Sequence, residues 1–181
     1  MVTQRYSNFA ITMHWLVAIF IIALLGVGFF MANVESPLVK EMDLYQMHKS
    51  FGITLLFLVL VRIYWRKNHT PPNYPQTVSQ SETKLANVVS YLLYALMVLM
   101  PLAGWAMSSS TPPEWKTMFF GLFEWPRIPG LVGNTELKEL FKAMHFFGAI
   151  ALVTLIALHL AGTIKHLVID KENLLKRIWF K

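Results

Sequence analysis

The chain has 181 residues, of which 55% are hydrophobic and only 14% charged, with a formal net charge of +6 and no cysteine. So apolar a composition suits a bilayer as solvent, and the basic residues sit at the ends of apolar runs, so the positive balance does not mark a nucleic-acid binder. The missing cysteines exclude disulfides, thiolate-held iron–sulfur clusters and covalent attachment of haem through Cys-x-x-Cys-His.

Four apolar runs are long enough to cross a hydrocarbon core of roughly 30 Å at about 1.5 Å per residue. They cover residues 9–32, 44–65, 85–107 and 143–166. The first is longer than the apolar stretch of a secretory signal and no A-x-A-like site follows it, so it reads as a retained span. The second is uncharged at its centre, Phe51–Val61. The third contains Pro101, which is expected to kink it, and the fourth is uncharged in its middle apart from histidines. The expected fold is an all-α membrane protein, a single four-helix bundle over residues 1–181.

Between the spans lie a short acidic loop (33–43), a Pro-containing loop (67–84) and a longer loop (108–142). The last carries Trp115 and Trp125, which suit a cap lying on the membrane surface. Lys and Arg are unevenly shared. Arg5, Arg62, Arg66, Lys67, Lys84, Lys165, Lys171, Lys176, Arg177 and Lys181 fall on the side of the termini, against Lys40, Lys49, Lys116, Arg127, Lys138 and Lys142 on the other. The positive-inside rule then predicts that both termini are cytoplasmic, which an even number of spans requires.

The six histidines carry the chemistry. His145 and His159 share the fourth span, fourteen residues apart. At about 100° and 1.5 Å per residue they point within about 40° of each other and differ by roughly 21 Å in depth. His14 lies about five residues into the first span, and His159 about five residues before the end of the fourth, on the same side. His48 stands near the outer start of the second span, as His145 does in the fourth. Depth therefore pairs His14 with His159 and His48 with His145. Such pairs suit two stacked haems, each iron held between two imidazoles.

One membrane histidine alone would equally suit a hydrogen-bonded packing role; four in depth-matched pairs favour ligation. A plain metal site is the rival, and pairs with no carboxylate nearby make a poor one. Gly52, Gly148 and Gly162 lie within one turn of ligand candidates and would let a flat porphyrin approach the backbone, although close helix packing explains each equally well. His166, next to Lys165, is expected at the cytoplasmic boundary, contacting a haem propionate or a quinone head group, or serving as an interface anchor; His69 is expected in solvent.

At MHWL around His14, MHKSFGI around His48, LVRIYWR closing the second span, LYALMVLMPLAGWAM in the third, FGLFEWP in the long loop and LHLAGTIKHLVIDKENLLKRI at the end, the chain resembles the prokaryotic cytochrome b561 family. The resemblance covers nearly its whole length. It implies two non-covalent b-type haems in a bacterial inner membrane and electron transfer to or from ubiquinone, and some relatives act as superoxide:quinone oxidoreductases. Lys49, with Lys116, Arg127 and Lys138, would then be placed to attract an anion. An electron-transfer subunit docked to a redox partner stays open as an alternative. So does a haem-bearing component supporting a lipocalin-like periplasmic partner, which the HKSxG and KHxxIDK forms imply. One departure is Asn87, where many members carry a histidine.

Overall fold

A computed structural model describes residues 5–34 and 43–180. Most of the first loop, with Lys40, lies outside the described residues, as does Lys181. The elements are α1 (Asn8–Asn33), α2 (Leu44–Asn68), α3 (Gln80–Ser109), a minimal hairpin β1 (Met118–Phe119) and β2 (Phe123–Glu124), α4 (Thr135–Val168) and a terminal 3-10 turn (Leu174–Ile178). The four α-helices are long and apolar enough to span a membrane. Their outward faces carry exposed Ile19, Ile22, Tyr64, Leu85, Tyr91 and Phe147, as lipid-facing surfaces do.

Three of the helices start where a polar side chain satisfies free backbone N–H groups. The Ser7 side chain accepts from Ala10 N at α1, and the Asn134 side chain accepts from Leu137 N at α4. At α3, Ser79 and Glu82 form a reciprocal capping box. These caps explain why α3 and α4 begin earlier than the apolar runs at 85 and 143. A first turn such as Gln80–Lys84 is too polar to lie in hydrocarbon but is a good helix start. Arg66 and Lys67 end α2 and Lys165 and His166 end α4, where positive charge complements the helix dipole.

The helices pack in chain order, α1 on α2, α2 on α3 and α3 on α4. No comparable seam joins α1 to α4. The bundle is thus closed on three sides and loosely held on the fourth. Its midplane is plugged by Val17, Ile21, Leu55, Val59, Met97 and Leu152, one apolar cluster drawn from all four helices.

At one end the termini meet. Tyr6 N donates to the Arg177 carbonyl at 3.0 Å, Trp15 Nε1 to Ile178 O at 2.9 Å, and Arg177 reaches the carbonyls of Pro72 and Asn73 in the α2–α3 loop. At the other end the long loop is pinned. Gln46 donates to Lys116 O at 2.8 Å and accepts from Met118 N at 3.0 Å, while the fully buried Ser50 hydroxyl bonds both Met118 O and Phe120 N. Arg127 gathers the carbonyls of Thr111, Pro112, Pro113 and Trp115. Trp125 packs among Trp105, Phe119, Phe123 and Phe57, whereas Trp115 is exposed.

Candidate functional site: two facing histidine pairs

His14 of α1 and His159 of α4 face each other across the loosely held side, their ring centres 6.5 Å apart. His48 of α2 and His145 of α4 face each other at 6.3 Å. Two imidazoles that share one metal through bonds of about 2 Å, with each ring centre about 1 Å behind its nitrogen, have centres roughly 6 Å apart. Direct ring stacking would bring them closer, as Trp65 and His69 do at 3.7 Å. Both pairs stand at the separation of rings bridged by one metal, and the midplane plug divides them.

The surroundings bear on whether the donors fit such a group. His145 Nδ1 lies 3.0 Å from the Met100 carbonyl oxygen. A carbonyl only accepts, so Nδ1 carries the proton and the other ring nitrogen keeps a free lone pair, the tautomer metal-bound histidines use. His48 Nδ1 is buried with no hydrogen-bond partner among the described residues, and an orphaned polar atom of this kind marks a partner still to be supplied. His14 differs, because its Nδ1 accepts from Arg62 Nη2 at 2.9 Å. Among the described residues neither pair has a carboxylate hydrogen-bonded to it. The donor set suits a haem iron better than a bare divalent cation.

A cavity of about 1460 Å³ extends from His14 and His159 toward the end where the termini meet, reaching His166 and Gly162. It is larger than the roughly 300–1,000 Å³ usual for a small-molecule site. The space beside His48, lined by Phe20, Leu24, Val27 and Phe51 among others, is only about 230 Å³.

The glycines near the histidines differ in what they border. A methyl added at Gly52 or Gly162 would meet nothing within 4 Å, so both border open space. Gly148 instead faces the Met100 thioether, and its lack of a side chain serves helix packing. Gly28 and Gly104 lie beside the histidines in space but not in sequence. A methyl there would come within 3.3 Å of His48 and 3.2 Å of His145 respectively. Each glycine seats a histidine from a facing helix.

The remaining expectations fall variously. His69 is exposed and stacked on Trp65. His166, in the last turn of α4, is buried with Nδ1 2.7 Å from Asp170 Oδ2, because the chain folds back after α4 and covers it. Lys165 pairs with Glu82 and Asp170, and its hydrogen bond holds the Asp170 carboxyl below its usual range. Lys116 is tied to Glu124 at 2.9 Å and Arg127 is consumed by loop carbonyls, so neither stands free to attract an anion. Lys49, half-buried near the top of α2, and Lys138 make no ion pair among the described residues.

A multi-pass helical bundle with imidazole pairs facing each other inside it defines a membrane redox protein. Comparison with known proteins agrees. The family description "Prokaryotic cytochrome b561" matches residues 5–181. The chain is 28% identical over 177 residues to "Cytochrome b561 homolog 2" of Escherichia coli (strain K12), covering 97% of this chain and 91% of that protein. It is 24% identical over 179 residues to "Cytochrome b561 homolog 1" of the same organism, covering 97% of each. It is 28% identical over 179 residues to "Probable superoxide oxidase CybB" of Yersinia pestis, covering 97% of this chain and 96% of that one. The chain belongs to the prokaryotic cytochrome b561 family, whose members bind b-type haem and transfer electrons in the membrane.

Proposed function

We infer that this chain is a diheme cytochrome, with His14 and His159 ligating one haem and His48 and His145 the other, and that it passes electrons between its outer face and ubiquinone. The observation that carries this reading is the pair of ring separations, 6.5 and 6.3 Å, at two depths of one bundle. Bound haem would supply a one-electron couple at each depth. The chain's own residues do the rest. The Met100 carbonyl orients His145, Gly28 and Gly104 seat the outer rings, and the midplane plug keeps water out between the layers.

Positive charge gathered at the end shared by the termini supports placing that end in the cytoplasm. Quinone exchange there has a proton-handling cluster at hand. His166 and Glu82 line the cavity, His166 Nδ1 stands 2.7 Å from Asp170 Oδ2, and Lys165 joins Glu82 to Asp170. Superoxide as donor is suggested by the name of the Yersinia pestis relative. The test is to purify the haem-loaded protein and record its reduced spectrum after adding ubiquinol, and separately superoxide. Reduction by both supports the reading; a protein indifferent to quinols across physiological pH overturns the quinone assignment.

A second reading, a subunit docked to a redox partner, is favoured by the apolar tip of the long loop. Trp115, Phe120, Leu122 and Phe123 are exposed together there. A lipocalin-like partner rests on the sequence resemblance alone.

A further inference from the structure

Four arginines line the large cavity: Arg5, Arg62, Arg66 and Arg177. Two are committed to tying the chain together. Arg5 donates to Trp179 O and Asn8 Oδ1, and Arg177 donates to the carbonyls of Pro72 and Asn73. Arg62 and Arg66 are different. They stand one turn apart on α2, each over the ring of Tyr94 at 5.4 and 5.6 Å. Among the described residues neither has a carboxylate partner.

Arg62 spends Nε on the Tyr94 hydroxyl and Nη2 on His14 Nδ1, both at 2.9 Å. A guanidinium has only donors and stays charged, so a half-buried one inside a helical bundle calls for an anion. A neutral imidazole is a poor substitute. Contact with Arg62 also makes Nδ1 of His14 the acceptor, the tautomer opposite to that of His145.

We propose that Arg62 and Arg66 form a carboxylate-binding pair that anchors the two propionates of the haem held by His14 and His159. The proposal rests on the reading of those histidines as ligands of one haem. The planar fork of each guanidinium matches a carboxylate bidentately. Side chains four residues apart on a helix stand about 5–6 Å from each other, which suits two carboxylates on one edge of a single molecule. Arg62 lies at the depth of His14 and Arg66 one turn nearer the surface, so the anionic edge faces the end where the termini meet. Occupation by carboxylates frees His14 Nδ1 from Arg62.

The test compares ordinary haem with its dimethyl ester, whose carboxylates are masked. Full-length protein made in haem-deficient cells is titrated in detergent, and the two sites are distinguished by low-temperature spectra. In the wild type, the ester should bind about 10- to 100-fold more weakly at the His14/His159 site, the worth of hydrogen bonds to charged groups. Arg62→Gln combined with Arg66→Gln should lose a similar factor with ordinary haem, and then gain no further penalty from the ester. A penalty as large in the variant as in the wild type overturns the proposal. So does a variant that binds ordinary haem with unchanged affinity.

Haem bound at the His48/His145 site reports that the fold is intact. If the double variant holds neither haem, Arg66→Gln alone carries the same comparison. His14→Ala separates the two readings. A His14→Ala protein that keeps this haem removes the ligand assignment, whereas the arginine assignment falls on the ester comparison or on an arginine variant of unchanged affinity.

Discussion

His145 donates from Nδ1 to the Met100 carbonyl across 3.0 Å, and Gly104 lies close enough that a methyl there would stand 3.2 Å from the same ring. Helix α3 therefore both orients this histidine and leaves it room. Gly104→Ala would push the ring a few tenths of an ångström off its carbonyl, and Gly28→Ala would displace the His48 ring by a similar amount. Each variant should weaken the outer haem by about 1–3 kcal/mol, the usual scale of overpacking, and leave the inner one alone. Haem titration followed by spectroscopy measures it; equal effects on both haems would remove the seating role.

Gly52 and Gly162 give a test in which the sign decides. Both border open space, so in an otherwise neutral setting an alanine should stabilise the helix by roughly 0.5–1 kcal/mol. If a porphyrin lies in that space, the added methyl should instead lower haem occupancy, at the outer site for Gly52 and the inner site for Gly162. Thermal unfolding and haem content of Gly52→Ala and Gly162→Ala separate these outcomes. A gain in stability with full haem content would assign the glycines to helix packing.

The Ser79–Glu82 capping box opens α3, and Glu82 also pairs with Lys165. Ser79→Ala should cost about 1 kcal/mol of stability. Glu82→Gln should destabilise only slightly, since Gln can still close the box and the lost ion pair is screened by solvent. Neither should alter haem content. Thermal unfolding in detergent measures the cost, and loss of a haem in either variant would mean that this end of α3 supports the cofactor directly.

Orientation can be read on intact cells, because the chain has no cysteine of its own. Single cysteines at the exposed positions Lys176 and Trp115 should label differently with an impermeant reagent, Trp115→Cys reacting and Lys176→Cys protected. The reverse pattern inverts the topology. Labelling of both would contradict an even number of spans.

Much of the architecture could be read from the chain because apolar run length and helical periodicity are strong signals. The fourteen-residue spacing of His145 and His159 fixed a shared face, and depth along the spans matched each with its opposite number. Less visible was anything that depends on which helix stands beside which. Sequence proximity points to glycines within a turn of each histidine, yet Gly28 and Gly104 seat rings that arrive from other helices. In sequence, Arg62 is one of several basic residues closing α2. Its position four residues inside Arg66, within the apolar run, was the available sign of an intramembrane charge with a partner. The burial of His166 was hidden because it depends on the segment after α4 folding back.

The pairing of the histidines makes the sharpest prediction. The structure sets His14 opposite His159 and His48 opposite His145, with the plug of Val17, Leu55 and Leu152 between the layers. A low-spin iron needs both its imidazoles, and the chain offers no thiolate in their place. His14→Ala and His159→Ala should therefore perturb the same haem and spare the other, and His48→Ala and His145→Ala should do the converse. His166→Ala should keep both, since its ring is engaged with Asp170 at 2.7 Å and stands nearer the surface than His159. Haem content and low-temperature spectra of the five variants decide the matter. If His14→Ala and His145→Ala behaved as one pair, or His166→Ala removed a haem that His159→Ala left in place, the assignment would be wrong.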